Sequence, residues 1–383
     1  MLESVLVYGL LTLIMVVCGT IAASREPLYE GGSGIYVKNS FFLQPEIIVI
    51  IASFTFVFGC RYGVGVDYFH YLFAYEHDTG ERYEFLFKAI SDFLRNNSLH
   101  FAVFFSVWAF LQITLLSYAF RNYRFILPYL LLYLIIGNFF MSMMNIIRQQ
   151  IAALIFLCSI QFIDEKKPLK YYLCILLAYF FHRSSVLMVV MYPILRFKDD
   201  WFRKVSVQLV LLAIAVFLSY RFDLVTRFIE TPFVWISSTL GFERYQMSLL
   251  GNETLDDMNR FGANTGFGIF VSLFKCLPII LLSKQLKEYY LSSFFNMLYS
   301  MWFVRVLANF AFGSSITLNR PFIFFTDISI AMVAFFTYYC FKSKNTGKIL
   351  LSIAMILVYL VMFLFILSNG KLNTSEFTFF WQH

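Results

Sequence analysis

Ten runs of about 20 largely apolar residues follow one another along a chain of 383 residues, and no other feature limits the fold so sharply. They cover about 2–22, 42–60, 99–120, 125–144, 147–163, 204–220, 266–283, 290–312, 321–341 and 348–368. In lipid a backbone must satisfy its own hydrogen bonds, so such runs are expected to be helices. Composition agrees. Hydrophobic residues make up 60% of the chain and charged residues 14%, against about 25% in a soluble domain, and Phe alone contributes 49. A cytosolic enzyme, a secreted disulfide scaffold and a disordered tail protein are excluded. The expectation is an all-α polytopic integral membrane protein, a single transmembrane domain over 1–383 with about 11–12 transmembrane or re-entrant helices. The first run has only Glu3 before it and is too long for a signal-peptide core, so it reads as a retained helix with its N-terminus outside.

Segment 171–196 decides how the chain is threaded. Its centre reads Phe180-Phe181-His182-Arg183-Ser184-Ser185, with an apolar half on each side. Short connections rich in Lys and Arg belong in the cytoplasm. The connections carrying Arg121/Arg124, Lys166/Lys167/Lys170, Arg196/Lys198/Arg203/Lys204, Lys284/Lys287 and Lys342/Lys344/Lys348 share one side with the 25–38 loop only if 171–196 enters and leaves by the same face. The segment therefore reads as a broken hairpin with His182 and Arg183 at its outer tip. Irregular backbone at membrane depth is tolerated where it lines a cavity or is buried in protein.

With that threading, lysine dominates the cytoplasmic side, while outer loops and mid-membrane positions hold 11 Arg against 3 Lys. Lys suffices to retain a span. Arg adds a planar donor fork that matches phosphate. A single arginine can simply snorkel to anchor a helix end, but the skew of the set favours an anionic ligand on the outer side. The net charge of +7 is thus a membrane signal, with no nucleic-acid partner implied. Six Cys without a CxxC pair indicate neither disulfide frame nor zinc site.

Two long outer segments remain, 61–98 and 221–265. The first ends in apolar positions 83, 86, 87, 90, 93 and 94 at helical spacing, expected to lie on the membrane surface. It opens with Arg61-Tyr-Gly-Val-Gly-Val-Asp67-Tyr68-Phe-His70-Tyr71, where glycines allow close backbone approach, Asp67 is a carboxylate at the membrane edge, and Tyr68 and Tyr71 offer faces on which sugars stack. A plain turn in an aromatic belt is the alternative. Asn145-Ile-Ile-Arg148-Gln149-Gln150 puts an arginine between two apolar runs, where an unpaired charge is costly and marks a site. His182 is suited to proton transfer. Arg305 sits inside an apolar run and needs an anionic partner or a wet cavity, and Asn319-Arg320-Pro321 opens the next run. Asp67, His70, Glu76, His77 and Asp78 match no metal-ligand spacing, so no metal and no cofactor is expected. No Gly-rich phosphate loop, GxSxG elbow or internal repeat is present.

At these residues the sequence resembles the EpsG family of bacterial exopolysaccharide proteins, a branch of the Wzy-type polysaccharide polymerases. The likeness rests on the 61–71 stretch, Glu84-Phe-Leu-Phe, Asn145-Ile-Ile-Arg148-Gln149-Gln150-Ile-Ala, Phe181-His182-Arg183-Ser184-Ser185 with Tyr192-Pro193, and Arg320-Pro321, which together extend over roughly residues 55–325. The resemblance implies a polymerase of the bacterial inner membrane, with an architecture like that of the C-type glycosyltransferases and its active site facing the periplasm or cell exterior. Its substrate would be an undecaprenyl-diphosphate-linked oligosaccharide, transferred to the sugar of another lipid-linked repeat unit. Membrane lipid, a flippase and a chain-length regulator are the implied partners. In the better-studied O-antigen polymerases and ligases a large outer loop carries the catalytic Arg and His; here His182 sits at a short tip. On the resulting mechanism, Arg148, Arg183, Arg305 and Arg320 clamp the diphosphate with Arg61 at its rim. Asn145, Gln149, Tyr68 and Tyr71 complete the substrate contacts. Asp67 is the first choice of base, ahead of His182 and then Glu84. Spans 171–196 and 291–312 are expected to line a groove for the lipid tail. An O-antigen-type ligase or another lipid-linked glycosyltransferase, a lipid-linked oligosaccharide flippase and a membrane O-acyltransferase are the competing readings. A flippase needs polar residues through the full membrane depth, whereas the cations here gather in the outer half.

Overall fold

A computed structural model of the chain describes residues 2–25, 41–80, 83–221, 266–313, 316–370 and 376–383. Loop 25–38 beyond Arg25 and most of loop 221–265 lie outside the described residues, as do Arg82, Arg227, Arg244, Arg260 and Lys371. The described residues are helical apart from one two-stranded pairing. Helices α1 Leu2–Ser24, α2 Pro45–Gly59, α3 Tyr68–Glu76, α4 Phe85–Asn96, α5 Phe101–Ala119, α6 Leu127–Ile136, α7 Phe140–Asn145 and α8 Ile147–Asp164 form the first half. The second half holds α9 Pro168–Phe181, α10 Met191–Phe197, α11 Val205–Tyr220, α12 Gly266–Leu281, α13 Ser283–Tyr290, α14 Ser293–Ala311, α15 Ile316–Asn319, α16 Thr326–Lys342 and α17 Thr346–Ser368. The all-α polytopic class expected from hydropathy is what folds.

Among the described residues five stretches are long and apolar enough to cross a membrane unaided: α1, α5, α8, α17, and Arg320–Lys342, in which a 3-10 turn leads into α16. Several others are shorter than the apolar runs that encode them. Run 125–144 is not one helix. It ends at Ile136, turns through Gly137 and Asn138 (φ +59°), and resumes as α7. A Cβ at Gly137 would meet the Phe139 ring at 2.6 Å, so glycine is needed where the chain folds back on its own aromatic neighbour. Run 266–283 ends in a 53° bend at Leu282, between α12 and α13.

Segment 168–197 turns back on itself. α9 stops at Phe181, His182 takes an extended conformation, and a 3-10 stretch, Arg183–Val190, leads into α10. Tyr171, near the start of α9, donates its hydroxyl to the Met188 carbonyl and packs its ring 5.3 Å from Tyr192. Chain entering at 168 and leaving at 197 therefore lies at the same end of the bundle.

Side-chain contacts sort the connections into two ends. At one end Arg25 pairs with Glu46, Arg124 with Gln44, Arg121 with Gln161, Lys287 with Asp200, and Lys348 with Tyr339. All five Lys/Arg-rich connections reach this end. At the other end lie 61–80 and 83–98, the tip at His182, the start of α8, Arg320, and the C-terminal residues 376–383. The latter return to pair Phe379 with Arg61 and Thr378 with Tyr62, while Phe377 N–H donates to Ser4 Oγ at 2.9 Å. Between the ends runs a continuous aromatic and aliphatic core centred on α6, α8 and α16.

Candidate functional site

The second end is organised by the turn that follows α2. Gly63 (φ +66°) and Gly65 (φ +106°) take left-handed backbone conformations, and a Cβ on Gly65 would approach Asn145 Oδ1 to 2.7 Å. Arg61 is only 2% exposed. Its guanidinium donates to the carbonyls of Phe58, Val64 (3.1 Å) and Met144 (3.5 Å) and lies 4.7 Å over the Phe105 ring. Burial lowers its pKa to about 10, against the opposing influence of Tyr68 and Tyr8, so it stays charged at neutral pH. Arg61 thus braces the turn rather than forming the rim of a binding site. Tyr68 is fully buried, stacked on Phe105 at 4.6 Å, and Tyr71 is 5% exposed. Neither ring lies open to a sugar; Tyr71 instead hydrogen-bonds Arg148.

Glu84, the residue capping α4, joins three elements far apart in sequence. Its Oε2 accepts from Arg148 of α8, and its Oε1 lies 3.0 Å from His182 Nδ1 and accepts from the Arg183 N–H at 3.3 Å. α4 is held there by Phe87, which stacks on Trp108 of α5 at 4.3 Å, so its apolar face packs partly on protein while Phe85 and Phe93 remain exposed. Burial pushes the Glu84 pKa up, but the His182 contact and the Arg148 charge outweigh it and hold the carboxyl down at about 2. So strongly acidic a group is a poor proton acceptor. Its effect is to aim Arg148 and His182, and Arg148 is further covered by the Tyr83 ring at 4.4 Å.

Asp67 has the opposite balance. It is half-buried at the start of α3, and burial raises its pKa, while His70, Arg320 and Arg148 pull the other way. A carboxylate raised by its surroundings and placed in the field of two arginines is suited to take a proton beside a bound anion. Arg183 and Arg320 are exposed beside this cluster. Gln149, 7% exposed, donates to the Arg320 carbonyl at 3.3 Å, so it fastens the 3-10 turn Arg320–Phe325 to α8. Gln149 therefore positions Arg320, whereas the side-chain oxygen of Asn145 is buried without a hydrogen-bond partner.

Arg305 stands apart from the Glu84 cluster. It donates to Asn319 Oδ1 and lines a cavity of about 280 Å³ with Lys275, Asn309 and Thr326. An apolar groove of about 620 Å³ runs between α12 and α17 rather than along the spans expected to hold a tail. Lys275, Tyr83 and Asp327 escaped sequence reasoning. Asp327 accepts from Gln150 at 2.7 and 2.8 Å, a pairing across 177 positions that no local pattern marks. Among the described residues no group of three or more His, Cys, Asp and Glu side chains is arranged to hold a metal ion.

The model of the EpsG family matches residues 47–380, nearly the whole chain. No curated protein and no solved structure matches it.

Proposed function

Because the chain belongs to the EpsG family, we propose that it polymerises a bacterial surface polysaccharide, transferring an undecaprenyl-diphosphate-linked glycan to the sugar of another lipid-linked repeat unit. The observation that carries this reading is the convergence of Arg148 and Arg320 on Asp67, with the Arg183 backbone held by the Glu84 that pairs with Arg148, at the end of the bundle opposite the Lys-rich one. The positive-inside rule supports a Lys-rich end that faces the cytoplasm and a cluster at the outer face of the inner membrane.

In this reaction an acceptor hydroxyl oxygen attacks C1 of the donor glycan. The C1–O bond to diphosphate breaks, and its electrons leave on the diphosphate. The hydroxyl proton passes to Asp67. Arg148, aimed by Glu84, and the exposed Arg183 and Arg320 stabilise the charge that grows on the leaving group; one such donor is worth roughly 10²–10³ in rate. His182 is held by Glu84 and serves to fix the tip of the hairpin.

The test uses a strain lacking this gene, complemented by wild type, Arg148→Ala or Asp67→Ala, with lipid-linked glycans and surface polysaccharide resolved on gels. Polymer lost and single repeat units accumulating on lipid at the outer face support the proposal. Long polymer retained on its lipid means a ligase, and single units trapped on the cytoplasmic side mean a flippase.

A further inference from the structure

The cavity at Arg305 has a chemistry unlike that of the Glu84 cluster. Lys275 from α12 and Arg305 from α14 both line it, with Ser272, Asn309, Thr326 and Ser329 as neutral polar neighbours. Among the described residues its lining contains no carboxylate and no histidine, and no carboxylate lies within ion-pair distance of either cation. Lys275 rests 4.3 Å over the Tyr359 ring and Arg305 donates to Asn319, both neutral partners. Two cations inside a membrane bundle are costly without an anion. With about 280 Å³ the cavity is close to the lower bound of small-molecule pockets, ~300 Å³.

We propose that this cavity is a second diphosphate site, which holds the acceptor's lipid-linked diphosphate while the Arg148 cluster holds the donor's. The inference rests on the polymerase reading, since only a reaction between two lipid-linked substrates needs two such sites. The donor's diphosphate is the leaving group, so it belongs beside Asp67, where a proton can be accepted. The acceptor's diphosphate does not react, and a site with two cations, hydroxyls and amides binds an anion without moving protons. The two sites are tied together by consecutive residues: Asn319 takes the Arg305 guanidinium, and Arg320 gives its carbonyl to Gln149 and lies in the field of Asp67. An occupant for the neighbouring apolar groove follows. Lys275 and Cys276 face the cavity, whereas Leu273, Phe274 and Leu277 of the same helix face the groove with Leu351 of α17. A lipid with its head at Lys275 lays its isoprenoid tail there.

The experiment measures how many molecules of geranylgeranyl diphosphate bind per protein in phosphatidylcholine nanodiscs, by native mass spectrometry and titration calorimetry. Wild type binds two. Lys275→Met and Arg305→Gln each lower the affinity of one site by about 10- to 100-fold, the loss of one charge-assisted contact, and leave the other intact. Arg148→Gln weakens only the other. If wild type binds two and neither Lys275→Met nor Arg305→Gln changes binding, the proposal is overturned. One bound molecule, lost in Arg148→Gln alone, overturns this proposal and spares the polymerase reading; no binding at all removes both. Phosphatidylglycerol filling the same site as tightly assigns the cavity to ordinary membrane lipid and also overturns it. Melting temperature separates a structural role. Removing a cation that lacks an anionic partner leaves the ligand-free protein as stable or more so while its ligand-induced shift falls; a lower melting temperature with the shift retained refutes the assignment.

Discussion

Replacing Glu84 with Gln keeps the side chain's shape and removes its charge, which isolates what the carboxylate does for Arg148 and His182. The magnitude can be reached by two routes. The carboxyl is held at about 2 instead of 4.5, and at 1.36 kcal/mol per unit this corresponds to about 3 kcal/mol of stability at pH 7. Breaking a buried ion pair by removing one partner costs about 3–5 kcal/mol. Glu84 is 9% exposed and the Arg148 side chain 24%, so the lower end applies. Because the folded-state pKa is depressed, the contribution is complete above the unfolded value and fades as pH falls from about 5 towards 2. Denaturant titration in mixed micelles should therefore find Glu84→Gln less stable than wild type by about 3 kcal/mol at pH 7, with most of the difference gone near pH 3. A loss under about 0.5 kcal/mol, the range of an ordinary surface substitution, or a difference that does not change with pH, would refute the reasoning.

Asp67→Asn should abolish polymer formation while the protein stays folded. In wild type, turnover should fall on the acid side as Asp67 protonates, at a pH above the usual carboxylate range because burial raises it, as read from the pH profile of a purified assay. Arg148→Lys should retain charge but lose the planar fork, lowering kcat by roughly 10²–10³ with a smaller effect on KM. Arg61→Lys should do the reverse: three carbonyls lose their shared donor, stability drops by about 2–3 kcal/mol, and kcat per folded molecule is unchanged. Gly65→Ala places a Cβ 2.7 Å from Asn145 Oδ1 at φ +106°, so it should cost about 1–3 kcal/mol in thermal unfolding and weaken turnover by displacing Asp67.

Hydropathy made the helices legible because burial in lipid acts on about 20 residues at once, but it could not locate breaks. Run 125–144 stays apolar through Gly137 and Asn138, so its composition conceals the turn that separates α6 from α7. Charge resolved more. The Lys-rich connections marked one end of the bundle, and the break at His182 followed from requiring them to share it. What remained hidden was how differently the fold surrounds residues that look alike in sequence. Arg61 and Arg148 look alike in sequence: each is an arginine at the edge of an apolar run. One is surrounded by three carbonyls and two rings; the other by a carboxylate, a tyrosine and the field of Asp67. From sequence Glu84 is only the third choice of base, after Asp67 and His182. Its partners lie 64 and 99 positions away in α8 and at the hairpin tip, and only their arrival turns it from a proton acceptor into the anchor of the arginine beside it. The same dependence explains Lys275, which a hydropathy profile shows as one charge in an apolar run and which gains meaning only when Arg305 of another helix faces the same cavity. A charge in the membrane signals function locally, but its role is set by the sign and reach of whatever the fold brings against it.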